Sequence, residues 1–559
     1  MITPIQYAFR PIALPLVLLS LLSIAGCGGG GGGGGGVFGP TDRHVLHLSE
    51  VSSNCNMAPA ENCGDIHVVV SSDLAERPEW KASDSNGVAV FDRVDKEKLS
   101  DNTWRFTFRP ATGLAPGTYT GNITLSTLNL LPINYNDLPE TMAYKVTVAP
   151  LKGNLSALAP LPGAGDWEGT NGNAAHTGAV PVSLNAASFA RRWTWQYDSA
   201  GKYNRLSPVV AANGFVYFSM DQASIDSQDP NKTIYTTSLT ALSELDSTVQ
   251  WRTSQAPGVV HGAPGVSGTR LAATDTSKVY TFDAVSGAQL ANAKQPQSIG
   301  LLSAVSPLTA PTLAGGNVYI GGNDDVINAD ASTAQNLWST SLGLPITASV
   351  DEWTPAVNSS TVYSNTAGTL RAFNRVSGAQ QWSLAVPGQV LSGLNKSSLR
   401  QAPVLPDDHT VLLLNQRSAA GSSTDNSLSL VDTDSRQLRW TVNGQFTTQP
   451  VTAQGVLYVG NQATAALEAR SIATGAVLWS WPLSAVNEAR FGGDVIVTNN
   501  LLFVAGETAT YALDLASQKV VWSYRVGGKL ALSRNGVLYI RAVASNFVGT
   551  SSLTAINLK

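Results

Sequence analysis

Few residues of this 559-residue chain have the type and spacing for chemistry. Cys55 and Cys63, in "SNCNMAPAENCGD", bracket a short Pro-containing loop, and an oxidising compartment would close them as a disulfide. Two thiols without a nearby histidine pair make poor tetrahedral metal ligation. His44 and His47 do not supply that pair, because three positions apart on a strand their side chains face opposite sides. Asp324, Asp325 and Asp351 offer oxygens to a cation, yet carboxylates in Gly/Asn-rich turns ordinarily hold the turn itself. His176, in "GDWEGTNGNAAHTG", has no visible nucleophile partner. No GxxxxGK[ST], HExxH or GxSxG occurs. These residues therefore predict no catalytic, cofactor-binding or metal site, and attention moves to the elements around them.

The third cysteine has a different role. In "FRPIALPLVLLSLLSIAGC", Arg10 precedes an apolar stretch from Pro11 to Ile24, short for a permanent membrane helix and right for a signal peptide. Ile24, Ala25, Gly26 and Cys27 resemble the bacterial lipobox, in which small residues admit the peptidase and the following thiol takes diacylglycerol. Residues 1–26 are read as a lipoprotein signal peptide, and Cys27 as the lipidation site. Residues 27–40 form a tether whose nine glycines, Gly28 to Gly36, have no side chains to pack. Gly28, rather than Asp, follows Cys27, which by resemblance to lipoprotein sorting rules implies an outer-membrane anchor facing the periplasm.

Length predicts two or more folded units. Charged residues make up only 13% of the chain and turn formers recur throughout, as in an all-β protein outside the cytoplasm. The net charge is −4 with no Lys/Arg-rich run, so nucleic acid is not an expected partner. Residues 41–150 carry short alternating strands, among them "HVLHLS", "IHVVVSS", "GVAVFDRV", "TWRFTFRP", "GTYTGNITLS" and "AYKVTVAP", the pattern of a β-sandwich. "LAPGTYTGNITLS", Leu114 to Ser126, resembles bacterial immunoglobulin-like domains, implying a spacer or adhesive module.

Residues 186–559 are a repeat. Thirteen-residue segments end at Trp251, Trp338, Trp382, Trp440, Trp479 and Trp522, and a seventh, Val279 to Ala291, has lost only the ring. Ahead of each lies an apolar strand, often opened by Pro, then a turn and an aromatic-rich strand, as in "APTLAGGNVYIGG". Four short strands per repeat make a propeller blade. The chain ends three strands after Trp522, while an orphan strand, "ARRWTWQYD", carries Trp193 ahead of the first repeat. Docked together they give an eight-bladed β-propeller with no open edge. The tryptophans are then structural, each bridging neighbouring blades with its ring on the next repeat's turn, and the motif's Asp and Ser/Thr hold that turn. Residues 151–185 serve as linker and lead-in, with "GDWEGTNGNAAHTG" covering the ring's face or edge.

The repeats resemble the pyrroloquinoline-quinone-like (PQQ-like) propellers, with "FNRVSGAQQW", Phe373 to Trp382, a worn copy of their AxDxxTGxxxW signature. Resemblance to the catalytic members would imply a central Ca²⁺, a catalytic Asp beside the quinone and often two adjacent cysteines. Here all three cysteines lie outside the propeller, and Trp-to-Trp spacings mostly near 40 residues leave little loop for a lid. The compact ring on a lipid anchor resembles more closely the BamB family, the propeller lipoproteins of outer-membrane β-barrel assembly. "DEWTPAVNSSTVYSN" and "FTTQPVTAQGVLYVG" are similar to that family, although Trp353 interrupts the acidic tract and the family has no immunoglobulin-like domain before its propeller. The resemblance implies a non-catalytic scaffold without cofactors that binds envelope proteins, such as outer-membrane β-barrels or assembly factors. The alternatives are a periplasmic quinoprotein oxidoreductase using PQQ and Ca²⁺, and a cell-wall or carbohydrate-binding surface protein.

Overall fold

The computed structural model describes residues 46–48, 52–57, 66–72, 79–86, 90–100, 102–111, 114, 117–128, 140–148, 155, 157–196, 204–225, 233–254, 262–275, 277–295, 310–321, 325–342, 354–366, 368–386, 402–416, 426–542 and 551–559. The signal peptide, Cys27, the polyglycine run, His44, Cys63, Asp324 and Asp351 lie outside them, as does the Cys55–Cys63 pairing. Among the described residues, regular structure is strand apart from three 3₁₀ turns.

The N-terminal unit is a sandwich of two four-stranded sheets. One runs in the order Leu46–Leu48, Ile66–Ser72, Thr103–Pro110, Phe91–Ser100. The other runs Ser52–Met57, Glu140–Val148, Gly117–Leu128, Glu79–Asp84, its first pair parallel with Cys55 opposite Val146. The alternation in "TWRFTFRP" follows the pleat. Trp104, Phe106 and Phe108 are buried against Ile123, Leu125 and Tyr144, while Arg105 and Thr107 are part-exposed. Two strands carry no apolar alternation, Ser52–Met57 ("SSNCNM") and Glu79–Asp84 ("EWKASD"). They extend the edges of a sheet whose core is supplied by its neighbours.

From Ala190 to Asn557 the described residues build eight consecutive sheets, each of four antiparallel strands, the first with an added short strand at Asn204–Leu206. The second blade shows the pattern: Gly265–Ser267, Arg270–Thr274, Lys278–Asp283 and Gln289–Lys294, from the axis outward. Its two middle strands are buried nearly throughout, because neighbouring blades cover both faces, and its outer strand is mostly exposed. Innermost strands of neighbouring blades lie side by side, and Lys529–Leu532 of the eighth meets Val210–Ala212 of the first. The eighth blade is composite. Ser552–Asn557 pairs antiparallel with Ala190–Gln196, with Ala555 opposite Trp193 and Thr554 opposite Thr194. The first blade departs from the repeat through a long hairpin, Phe215–Ile225 with Thr233–Ser243, in register along its whole length.

Candidate functional site

Three places in this fold gather the side chains that chemistry or recognition would use: the seams between blades, the axis, and a cleft beneath the sandwich.

At the seams, the outer-strand tryptophans reach across to the next blade. Indole Nε1 donates to a turn carbonyl from Trp193 to Glu244 (3.0 Å), Trp251 to Ala284 (3.1 Å), Trp338 to Arg375 (3.1 Å) and Trp440 to Ile472 (2.8 Å). Within their own blades, Trp382 and Trp479 pack 6.1 and 6.0 Å from Tyr363 and Tyr458, and Trp522 stacks on Tyr524 of the same strand. The receiving turns are tied by their own motif residues. Asp283 Oδ1 accepts from the Ser286 amide and hydroxyl (both 2.8 Å), and Asp514 from those of Ser517 (both 2.7 Å). These bonds hold both part-exposed carboxyls below their usual range. Gly287, Gly378 and Gly475 each have φ near +72°, and a Cβ there would lie 2.4–2.8 Å from the ring of Trp251, Trp338 or Trp440. Where the ring is missing, at Ala291, the following turn carries Ala334 at the same left-handed position, and its methyl is fully buried. These residues are architecture.

The axis is threaded by the chain itself, with a small pocket left between Trp167, Asn171, Val209, Ala263 and Lys529. The lead-in does not cover the ring's face or edge; it runs into the centre and touches every blade. Leu161 N–H donates to Arg534 of the eighth blade (2.8 Å), and Trp167 exchanges two backbone bonds with Ala211 of the first (both 2.9 Å). Carbonyls of Glu168, Ala174, Ala175 and Thr177 accept from Val266, Val357, Leu405 and Thr452 of the second, fourth, fifth and sixth blades, each at 2.8 Å. Gly178 and Val180 bond Val497 of the seventh, at 3.0 and 2.8 Å. The third is reached by His176, whose Nε2 lies 3.2 Å from Thr312 Oγ1. His176 Nδ1 faces the Pro403 carbonyl at 2.9 Å, an acceptor only, so Nδ1 carries the proton. The ring is fully enclosed, and burial pushes its pKa from 6.5 down to about 4 against the pull of the Pro403 carbonyl. A neutral imidazole held this way is a strut.

The prolines that open the blades have a physical role at this axis. Pro264, Pro311, Pro355, Pro403 and Pro450 stand immediately before their innermost strands, and Pro208 two residues before its own. Proline brings a carbonyl to the crowded centre without an N–H needing a partner. Pro403 serves His176, Pro450 accepts from Asn171 Nδ2 (3.2 Å), and Pro355 accepts from the Thr312 hydroxyl (2.8 Å).

In the eighth blade that position holds Gly527–Gly528, in the seventh Gly492–Gly493 lie at the start of the innermost strand itself, and beside these pairs opens a cleft of about 880 Å³. Its other wall is the sandwich, through Lys96, Glu97 and Arg105. Arg105 bonds Glu97 (3.2 Å) and Asn487 (3.3 Å), and Arg525 donates to the Pro110 carbonyl (2.9 Å), so both units contribute to the junction. The buried Glu488 accepts from the amides of Glu507, Thr508 and Ala509 (3.1, 3.1 and 3.0 Å) and the Tyr511 hydroxyl (3.2 Å). Burial raises its carboxyl pKa despite these bonds. Lys529 is paired with Asp494 at 2.9 Å.

Among the described residues no cluster of three or more His, Cys, Asp or Glu side chains has the arrangement of a metal site. Asp325 begins a strand, where it accepts from the Ser339 hydroxyl at 2.7 Å. His47 and Cys55 lie on sandwich strands. Sequence reasoning missed Glu244, Glu488 and Arg192, charged residues buried in the ring. Glu244 and Glu488 stand beside turn formers and Arg192 beside Arg191 in a strand, with nothing in the sequence to mark any of them as enclosed.

Ring, repeat and tryptophan seams define a β-propeller built of PQQ-like repeats. The family described as outer membrane protein assembly factor BamB matches residues 236–481 and 424–559, more than half of the chain, and the chain belongs to that family. Among solved structures, BamB from Moraxella catarrhalis is similar at 17% identity, covering 66% of this chain and 99% of its own, with a TM-score of 0.45. Hsv2 from Kluyveromyces lactis is similar at 9% identity, covering 52% and 94%, with a TM-score of 0.35. No curated protein matches.

Proposed function

We propose that this protein is a non-catalytic lipoprotein scaffold, anchored by Cys27 to the outer membrane and facing the periplasm, whose propeller binds envelope proteins during outer-membrane protein assembly. The observation that carries the non-catalytic reading is the threaded axis. A quinone and Ca²⁺ at the centre of the ring would need the space occupied by Trp167 to Val180, which bonds the inner strands of six blades and meets a seventh through His176. Family membership supports the choice of partner: outer-membrane β-barrels or their assembly factors. The strand order of the sandwich, one, three, six and five in one sheet and two, eight, seven and four in the other, supports reading it as an immunoglobulin-like spacer that also walls the cleft.

The reading is tested by placing photo-crosslinking residues at Thr107 and Glu507 in the cleft and at Leu478 and Val521 on the exposed outer strands, in intact cells. Capture of outer-membrane β-barrel precursors or assembly factors is expected. Recovery of none of these from any position would sink the scaffold role.

A further inference from the structure

The axial contacts have the form of peptide recognition. The lead-in meets the innermost strands largely through main-chain bonds, as an added strand does, and specificity comes from a few side chains set in fitted places. Trp167, Val180, Val182 and Leu184 are buried in the cluster that also holds the first, seventh and eighth blades together. Asn171 and His176 take left-handed φ values of 50° and 59°, and Asn171 Nδ2 ties the turn to both the His176 and Pro450 carbonyls. Gly178 is matched to its site by shape, since a Cβ there would lie 2.2 Å from Val451. Its φ of +65° also suits glycine.

We propose that the centre of the propeller is a peptide-binding site filled in cis, whose ligand is the chain's own segment Leu161–Leu184. The ring is then a receptor and the lead-in its bound peptide. Recognition comes from contacts to eight separate blades, and the covalent links at either end serve only to keep the ligand's local concentration high. Each blade holds the peptide and the peptide holds each blade, so occupancy and ring integrity are linked: what binds only the closed ring stabilises it.

The test uses the full chain, with protease sites inserted after Gly153 and after Ala187, folded intact and then cut at both. The first cut also frees the sandwich, so that the Arg525–Pro110 junction cannot retain the piece. The excised piece is expected to stay with the ring through gel filtration in native buffer and to leave only in denaturant. Asn171→Gly, which removes two side-chain bonds and accepts the left-handed φ of 50°, is expected to fold while tethered and to lose most of the piece once cut, with a fall in the ring's melting temperature. Release of the wild-type piece in native buffer, with the ring intact or not, would overturn the proposal. Equal retention of the wild-type and Asn171→Gly pieces would overturn the assignment of Asn171 to recognition.

Discussion

The indole of Trp193 and the backbone carbonyl of Glu244 are joined by a 3.0 Å hydrogen bond across the seam between the last blade and the first. Arg192 Nε donates to the same carbonyl at 3.0 Å, and the guanidinium also reaches Asn557 Oδ1 at 3.0 Å. The carboxylate of Glu244 accepts from Ser533 and Asn535 in the turn between the C-terminal strands Lys529–Leu532 and Val537–Ala542. One turn residue thus holds both halves of the composite blade, the N-terminal strand by its main chain and the C-terminal strands by its side chain. Trp193 is buried 5.8 Å from Tyr539. Trp193→Ala should therefore cost about 3–5 kcal/mol, the range for a large aromatic truncated in a core. Urea unfolding of a soluble form starting after Cys27 measures it, and an unchanged midpoint would mean that the ring closes elsewhere.

The repeat was legible because its signal is periodic. The outer-strand tryptophan, the turn with Asp and Ser, and the Pro-opened strand recur, and each copy must bury the same faces. The lead-in was not legible, because what orders it is remote. Asn171 meets Pro450, and His176 meets Thr312 and Pro403, so "TNGNAAHTG" reads locally as a loop. The polar sandwich strands were missed for a related reason: at a sheet edge the ladder, rather than the side chains, decides the strand. Glu244 and Arg192 are compensated only by partners from the far end of the chain.

The anchor is tested by fractionation. With Cys27→Ser, the protein should leave the outer-membrane fraction and appear soluble in the periplasm. A variant that still sediments with outer membranes would show that lipidation is not what holds it.

His176 predicts a pH dependence. Its folded pKa, down to about 4, lies below the ordinary 6.5, so between these values the unfolded chain takes up a proton that the folded chain refuses. The stability it contributes is present above pH 6.5 and is lost as pH falls toward 4. Asp166 and Glu168, whose carboxyls are raised by burial, oppose this trend, so the comparison must be with a variant. His176→Asn, neutral throughout and tolerant of left-handed φ, should lose less stability than wild type from pH 7 to 4 in denaturant titrations. Parallel slopes would remove His176 as the cause.

Adding pyrroloquinoline quinone and Ca²⁺ to the purified protein should give neither a stoichiometric complex by calorimetry nor alcohol-dependent dye reduction, since Trp167 to Val180 holds the axis. Turnover would reverse the scaffold reading.

The seam itself can be separated into backbone and packing parts by two glycines. Gly378 and Gly214 have nearly the same conformation, φ of +72° and +76°, but different surroundings. A Cβ on Gly214 meets nothing within 4 Å, whereas one on Gly378 would lie 2.5 Å from the Trp338 ring. Gly214→Ala should therefore cost only the left-handed strain, about 1–2 kcal/mol. Gly378→Ala adds an overpacked contact, about 1–3 kcal/mol more. The ring cannot simply withdraw, because Trp338 Nε1 is held by the Arg375 carbonyl and the Thr340 hydroxyl donates to the Gly378 carbonyl at 2.7 Å. Introducing Gly378→Ala into a Trp338→Leu background should reduce its penalty to that of Gly214→Ala, a coupling that a double-mutant cycle reads directly. If the two glycines cost the same in the wild-type background, the turn needs glycine for its backbone alone and the tryptophan is not seated on it.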